Sequence, residues 1–231
     1  MFGMDEWIAG LSDGASIAVV LLVAVLLGLR HATDPDHIAA VSTLVASGRE
    51  RAAAAAAHLG LWWGIGHAIS LAAFGIPILV AERYLPDTVQ RGSETAVAAL
   101  IVFLAIRLLV RWRHGAFACS DEVGADHHHP VRSPHAAFGI GLVHGMGGSA
   151  GVGVLLLAAI PSRELAVLAL LVLAVFTAVS MTIVTTGFGA VMAARRTGGA
   201  MAGAVPALGA ASLAFGLWYA AAAWSLAPYP F

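Results

Sequence analysis

The sequence predicts an all-α integral membrane protein of six transmembrane helices, built as a 3+3 inverted repeat with a broken first helix. Three observations carry that expectation. Of the 231 residues, 60% are hydrophobic and only 11% charged, with a mean hydropathy of +0.88. That balance is too apolar for a surface facing water. Apolar runs long enough to cross a bilayer, about 20 residues each, alternate with short polar breaks. Finally, Gly28-Leu29-Arg30-His31 recurs as Gly141-Leu142-Val143-His144 at a shift of 113 residues, both segments reading G-L-x-H.

Taken in order, the runs place spans at about 15 to 47, 54 to 82, 93 to 112, 134 to 160, 164 to 194 and 204 to 227. The breaks between them are Arg49-Glu50-Arg51, Pro86-Asp87, the polar stretch from His114 to Ser133, Pro161-Ser162-Arg163 and Arg195-Arg196-Thr197-Gly198-Gly199. Residues 1–113 form the first three-helix repeat, 114–133 a His-rich loop and 134–231 the second repeat. A further shift of 114 lays Phe74-Gly75 on Phe188-Gly189 and puts His67 opposite Met181. With three helices per half, the second half enters the membrane from the opposite side. Many secondary transporters use that arrangement around a midplane site. Alternate loops hold Arg49, Arg51, Arg111, Arg113, Arg132, Arg195 and Arg196 on one side, and Arg83, Arg91 and Arg163 on the other. The positive-inside rule then sets both termini outside the cytoplasmic membrane and the 114–133 loop in the cytoplasm. Residues 1 to 12, with Phe2, Trp7, Ile8 and Leu11 among acids, read as an interfacial segment, and Trp224 and Tyr229 suit the same interface. Asp5, Glu6 and Asp13 precede the first basic residue, Arg30, which is the reverse of a signal peptide, so the first span is expected to be kept.

Charge and cysteine usage exclude several function classes. A formal net charge of -1, with no Lys among the twelve basic residues, offers no field for nucleic acid. Cys119 is the sole cysteine, so neither an intrachain disulfide nor a thiolate cluster can form. Imidazole and carboxylate chemistry remain.

That chemistry is concentrated in Arg30-His31-Ala32-Thr33-Asp34-Pro35-Asp36-His37, at the centre of a first span about 50 Å long, too long to cross a ~30 Å core unbroken. Pro35 lacks a donor and pushes Asp34 out of the α region, so Asp34 and Pro35 read as N-cap and first residue of a new helix. On a continuous helix His31 and His37 would lie about 120° apart; a break frees them to converge. Arg30 and Asp34, at i and i+4, suit a salt bridge, which leaves Asp36 as the anionic ligand. Two imidazoles and a carboxylate suit a borderline divalent metal such as nickel, cobalt or zinc, while copper(I) is disfavoured without nearby thiolate. The competing reading is a polar knot that only packs helices. His67 and His31 both fall near the midplane, about 21 and 24 Å along their spans, so His67 is a candidate ligand, although a lone membrane His also serves as an interhelical hydrogen-bonding group. His144, the repeat mate of His31, stands in a glycine-rich segment from Gly141 to Gly151 that permits a second broken or closely packed helix. Met146 and Met181 offer thioethers but read as apolar filler. His58 reads as a surface or entrance residue. The loop from His114 to His135, with Cys119, Asp121, Glu122, Asp126 and His127-His128-His129, either gathers metal loosely or is simply solvated.

The H-x4-D-H pattern from His31 to His37, within Leu29 to Ile38, resembles the signature of the nickel/cobalt transporter family (NiCoT) and its urease-accessory-type, UreH-like relatives. Gly66-His67 resembles that family's G-H on the following helix, with Ala68 where Ser is usual. The resemblance implies that His31, Asp36, His37 and His67 select the metal. It also implies eight helices with the signature on the second, whereas here it falls on the first of six. The family's acidic signatures in later helices are absent, and Gly145 to Gly151 resembles the shorter urease-accessory branch.

The leading expectation is therefore a secondary transporter, not an enzyme, that takes up Ni2+ or Co2+ through His31, Asp36, His37, His67 and His144. The metal is cargo and no prosthetic group is expected. Its partners are the lipid bilayer and the metal ion, with homo-oligomerisation open and nucleic acid excluded. An exporter of the same fold is the alternative. Less favoured are an intramembrane hydrolase using Ser149 in G-G-S-A-G, a zinc enzyme, which would lack H-E-x-x-H, and a metalloenzyme-assembly factor.

Overall fold

The computed structural model describes residues 17–46, 53–81, 86–115, 133–147, 154, 157–194 and 198–229. Among them are seven α-helices and no strand: α1 (Ile17–His31), α2 (Pro35–Ala46), α3 (Ala53–Ala81), α4 (Asp87–Arg113), α5 (Pro134–His144), α6 (Arg163–Ala194) and α7 (Gly198–Ala223). Four of these, α3, α4, α6 and α7, are long and apolar enough to cross a membrane, and α1 with α2 makes a fifth candidate span bent by 46°. Large apolar side chains such as Leu22, Leu26, Ile69, Phe103, Ile106, Val175 and Ile183 are exposed on the outside of the bundle, where a bilayer supplies the apolar solvent that water would not. The chain is thus a multi-pass membrane protein.

The break in the first span has a local cause. The amides of Thr33 and Asp34 close tight turns on the carbonyls of Arg30 and His31, at 2.9 and 3.1 Å. Thr33 Oγ1 donates to the Arg30 carbonyl at 2.6 Å. Pro35, which cannot continue the ladder, is the first residue of α2, and Ile38 N donates back to the Asp34 carbonyl at 3.0 Å. Two helix ends therefore meet within three residues of each other, deep in the bundle.

The fourth span, placed at 134 to 160, is interrupted, one of the two outcomes its glycine-rich segment permits. The run from 134 to 160 does not form one helix: α5 is capped by Ser133, whose Oγ accepts from Ala136 N at 3.2 Å, and ends after 11 residues at His144, about 16 Å on. Gly145 and Gly147 follow at once, residues that disfavour helix continuation. Two boundaries also move. α4 begins at Asp87 rather than near 93, because the Pro86 carbonyl accepts from Val89 and Gln90 at 2.8 and 3.1 Å and starts the helix in its polar stretch. α7 begins at Gly198 rather than near 204.

Helices α3 and α6 pack along each other at the centre, α5 lies on α3, α1 lies on α6, and α4 pairs with α7, while α2 reaches α7, α4 and α6. The two peripheral contacts match in detail. A Cβ on Gly28 would overlap the Leu173 carbonyl and crowd Thr177 N; one on Gly141 would overlap the Trp63 carbonyl and crowd His67 N. Ser180 Oγ donates to the Gly28 carbonyl at 2.9 Å, and Ser70 Oγ to the Leu142 carbonyl at 2.6 Å. Gly28 and Gly141 keep the shift of 113 that the sequence suggests. On the facing helices, however, Trp63 answers Leu173 and His67 answers Thr177, a shift of 110. The expected pairing of His67 with Met181 is therefore one helical turn out, because packing register, not the Phe-Gly identity, aligns α3 with α6.

Gly141 supplies a test of this packing. Gly141→Val would drive a branched side chain into the α3 backbone, and overpacking of this kind costs about 1–3 kcal/mol. We expect a clearly lowered melting temperature and folded yield in detergent, while Gly139→Ala, at a position with nothing within 4 Å of its Cβ, keeps or slightly raises both. Size-exclusion of heated samples reads the difference.

Candidate metal centre

Four helices contribute the polar side chains at the middle of the bundle. His31 closes α1, Asp36 and His37 open α2, His67 lies midway along α3 and His144 ends α5. Asp36, His67 and His144 have no exposed surface, and His37 and His31 retain 1% and 6%. Charged and polar groups this deep in an apolar protein must find partners within it.

They do so in a connected set. Arg30 Nη2 pairs with Asp34 Oδ1 at 3.0 Å, the salt bridge expected from the i, i+4 spacing, and His31 Nδ1 lies 3.3 Å from Asp34 Oδ2. Asp34 is thereby committed on both oxygens. Nε2 of His31 stands 3.1 Å from Nε2 of His67, so the two midplane imidazoles meet. Asp36 spans two imidazoles, with Oδ1 3.1 Å from His37 Nδ1 and Oδ2 3.3 Å from His144 Nε2. His37 sits at the hub, its ring centroid 4.5 Å from that of His31, 5.0 Å from His67 and 4.4 Å from His144.

The donor atoms fall into two groups, His31 with His37 and His67, and Asp36 with His37 and His144, within each of which the candidate ligand atoms all lie within 4.8 Å of one another. Three imidazole nitrogens, His37 Nε2, His67 Nδ1 and His144 Nδ1, are buried without a hydrogen-bond partner, as is the neighbouring Trp63 Nε1. Unpaired buried nitrogens disfavour a merely structural polar knot, which would satisfy them internally. Neutral imidazoles with a carboxylate and no thiolate suit borderline divalent ions.

All five candidate ligands of the sequence analysis are brought together here. Others stand apart. His58 is exposed and accepts from Trp62 Nε1 at 3.1 Å, in keeping with a surface role. Met181 is fully buried in an apolar cluster with Val41, Leu44 and Trp63, as filler would be. His114 and His135 are exposed. The His-rich stretch 116–132 and Ser149 lie outside the described residues.

Two features were missed. Trp63 packs beside the centre, its ring tilted 5.8 Å from that of His37 and edge-on 5.7 Å from that of His144; its i, i+4 spacing from His67 was the available signal. Glu94 is a buried carboxylate two turns into α4, visible in the sequence as an acid just inside an apolar run.

Comparison with known proteins agrees with this chemistry. The chain is 27% identical over 143 residues to the urease accessory protein UreH of Bacillus sp. (strain TB-90), covering 60% of this chain and 62% of that protein. It is 31% identical over 124 residues to the high-affinity nickel transport protein of Cupriavidus necator, covering 47% and 34%. It is also 32% identical over 111 residues to the hydrogenase nickel incorporation protein HupN of Bradyrhizobium diazoefficiens, covering 43% and 28%. The chain thus spans about three fifths of the first relative and about a third of the other two. No protein-family model matches it, and no solved structure is significantly similar. These relatives are named as a urease accessory protein, a nickel transport protein and a nickel incorporation protein, not for an enzymatic reaction. They support the resemblance carried by the first-helix signature, to the nickel/cobalt transporter family and its UreH-like relatives.

Proposed function

We propose that the protein is a secondary transporter that takes up nickel or cobalt across the cytoplasmic membrane, binding the ion at His31, Asp36, His37, His67 and His144. The observation that carries this reading is the convergence of the other four buried side chains on His37, which belongs to both donor groups. The names of the relatives support nickel in particular.

The mechanism follows from the packing. Residues 1–113 and 134–231 act as inverted three-helix halves, with both termini outside and the 114–133 loop in the cytoplasm. The matching contacts of Gly28 on α6 and Gly141 on α3 support that symmetry. Each half presents a helix end at the centre, His31 from α1 and His144 from α5, so rocking of one half against the other changes which ligands face each side. The Asp36 carboxylate offsets part of the charge of the dehydrated ion, and the imidazoles replace its water. Since a ligating imidazole must be deprotonated, protons compete with the ion for the centre.

Radioactive nickel offered at sub-micromolar concentration to cells expressing the chain is expected to accumulate, and His37→Ala to reduce accumulation to that of empty cells. Depletion of nickel by the wild-type chain, reversed in His37→Ala, would instead identify an exporter, and no metal-dependent difference in folded protein would end the transport reading. The two aspartates should separate. Asp36→Asn is expected to lower nickel affinity by at least about tenfold, since a ligand charge is lost. Asp34→Asn, which disturbs the Arg30 pair and the contact to His31 Nδ1, should lower folded yield as well as affinity, whereas Asp36→Asn lowers affinity without the loss of an arginine pair. Calorimetric titration of purified protein measures both. Ser149→Ala is expected to keep full metal flux; loss of flux would favour the hydrolase alternative.

A further inference from the structure

A second polar group lies apart from the His/Asp centre, where the chain after α7 folds back on the start of α4. Ser225 adopts the left-handed region at φ 59° and Leu226 N donates to the Ala221 carbonyl at 2.9 Å, a helix ending that turns the chain sharply. Trp224 Nε1 then donates to Thr95 Oγ1 at 3.2 Å, and the Arg91 guanidinium lies over the Trp224 ring at 5.9 Å. The turn delivers Tyr229 to Glu94: the phenol donates to Oε1 at 2.8 Å, and Gln90 Nε2 donates to the same oxygen at 3.1 Å.

Glu94 is 5% exposed, and among the described residues no basic side chain pairs with it; the nearby Arg91 is turned to Trp224. A buried carboxylate within a membrane span that is answered only by neutral donors is costly to keep for stability alone, and such residues mark ion pathways. Its position connects it to the centre. Gly147, three residues beyond His144, lies on the backbone of Ser93 and Glu94, where an added Cβ would come within 3.1 Å of Glu94 N. Tyr219, whose ring is 6.0 Å from that of Tyr229, packs with Ala39 of α2, one turn beyond Asp36. Burial, and with it the charges of Glu94 and Asp36, holds the Tyr229 phenol above the ordinary tyrosine range, against an opposing contribution from Tyr219. Tyr229 therefore remains a donor at any physiological pH.

We propose that Glu94 is a transient ligand for the divalent cation between the aqueous surface at the start of α4 and the His/Asp centre, with Tyr229 as the hydrogen-bonding lid that the cation displaces. The inference rests on the transport reading above. One carboxylate, completed by water, binds a divalent ion weakly enough to pass it on, whereas the imidazole-rich centre holds it. Displacing Tyr229 frees the oxygen that the cation takes.

The test uses the full chain in proteoliposomes with a trapped nickel-sensitive dye, measuring initial rates against nickel chloride concentration for the wild type, Glu94→Gln, Tyr229→Phe and His37→Ala. Glu94→Gln keeps an acceptor for Tyr229 but loses the charge; it should raise KM about five- to tenfold and leave the maximal rate within about twofold. Tyr229→Phe keeps the charge and the ring but loses the lid's hydrogen bond; it should raise the rate at low nickel. A purely structural tie predicts the opposite pattern, with Glu94→Gln near wild type and Tyr229→Phe slower and less heat-stable, and that result would overturn the proposal. Wild-type flux abolished in His37→Ala, with an unchanged KM in Glu94→Gln, removes Glu94 alone; absence of wild-type flux removes the transport reading and this inference together.

Discussion

A carboxylate with no exposed surface, Asp36, sets the terms for the middle of this protein. In an apolar interior an anion must be answered at close range or it will not stay ionised. Here the answer comes from imidazoles rather than from arginine. His37 lies beside it on the same helix turn and His144 arrives from α5, 108 residues away in sequence, at 3.3 Å. Arg30, the one cation close by in sequence, is already held by Asp34. The two aspartates are thus divided, Asp34 paired with arginine and Asp36 set between two imidazoles.

That division depends on the helix break. If residues 17–46 ran as one helix, His31 and His37 would diverge around the axis by about 120°, and Asp36 would lead away from His67. The turn over Ala32, Thr33 and Asp34 aims both ends inward and bends the span by 46°. α5 does the same by ending at His144, where glycines take over. Interrupted helices are tolerated at membrane depth only where protein or a polar cavity takes up the freed backbone groups. The close glycine contacts of α1 on α6 and of α5 on α3 supply the surrounding protein. The break, the glycines and the buried histidines and aspartates are thus parts of one arrangement, and altering one shifts the others.

Several features were legible in the sequence because their causes are local. Hydropathy and length marked the long spans, and Asp34-Pro35 marked the break, since proline's missing donor acts on its own neighbourhood whatever the fold. The i, i+4 geometry of Arg30 and Asp34 foretold their pair. Where local signals competed, the reading stayed open or slipped. The glycine-rich segment after Gly141 permitted either a broken or a closely packed helix, and the helix ends at His144. The Phe74-Gly75 and Phe188-Gly189 match suggested a shift of 114, yet interhelical packing keeps 110.

Composition, chain length and proline chemistry by themselves determined that this is a multi-pass helical membrane protein with a cluster of histidines and aspartates at a broken helix, because each acts through backbone or solvent within a few residues. Tertiary structure alone decided that His144 reaches Asp36, that Thr177 rather than Met181 answers His67, and that Tyr229 folds back to Glu94, 135 residues away. Those relations depend on the register and rotation of packed helices. A rotation of one residue, about 100° around a helix axis, carries a side chain from the centre of the bundle to the lipid, and only the summed packing of all the helices selects among such rotations.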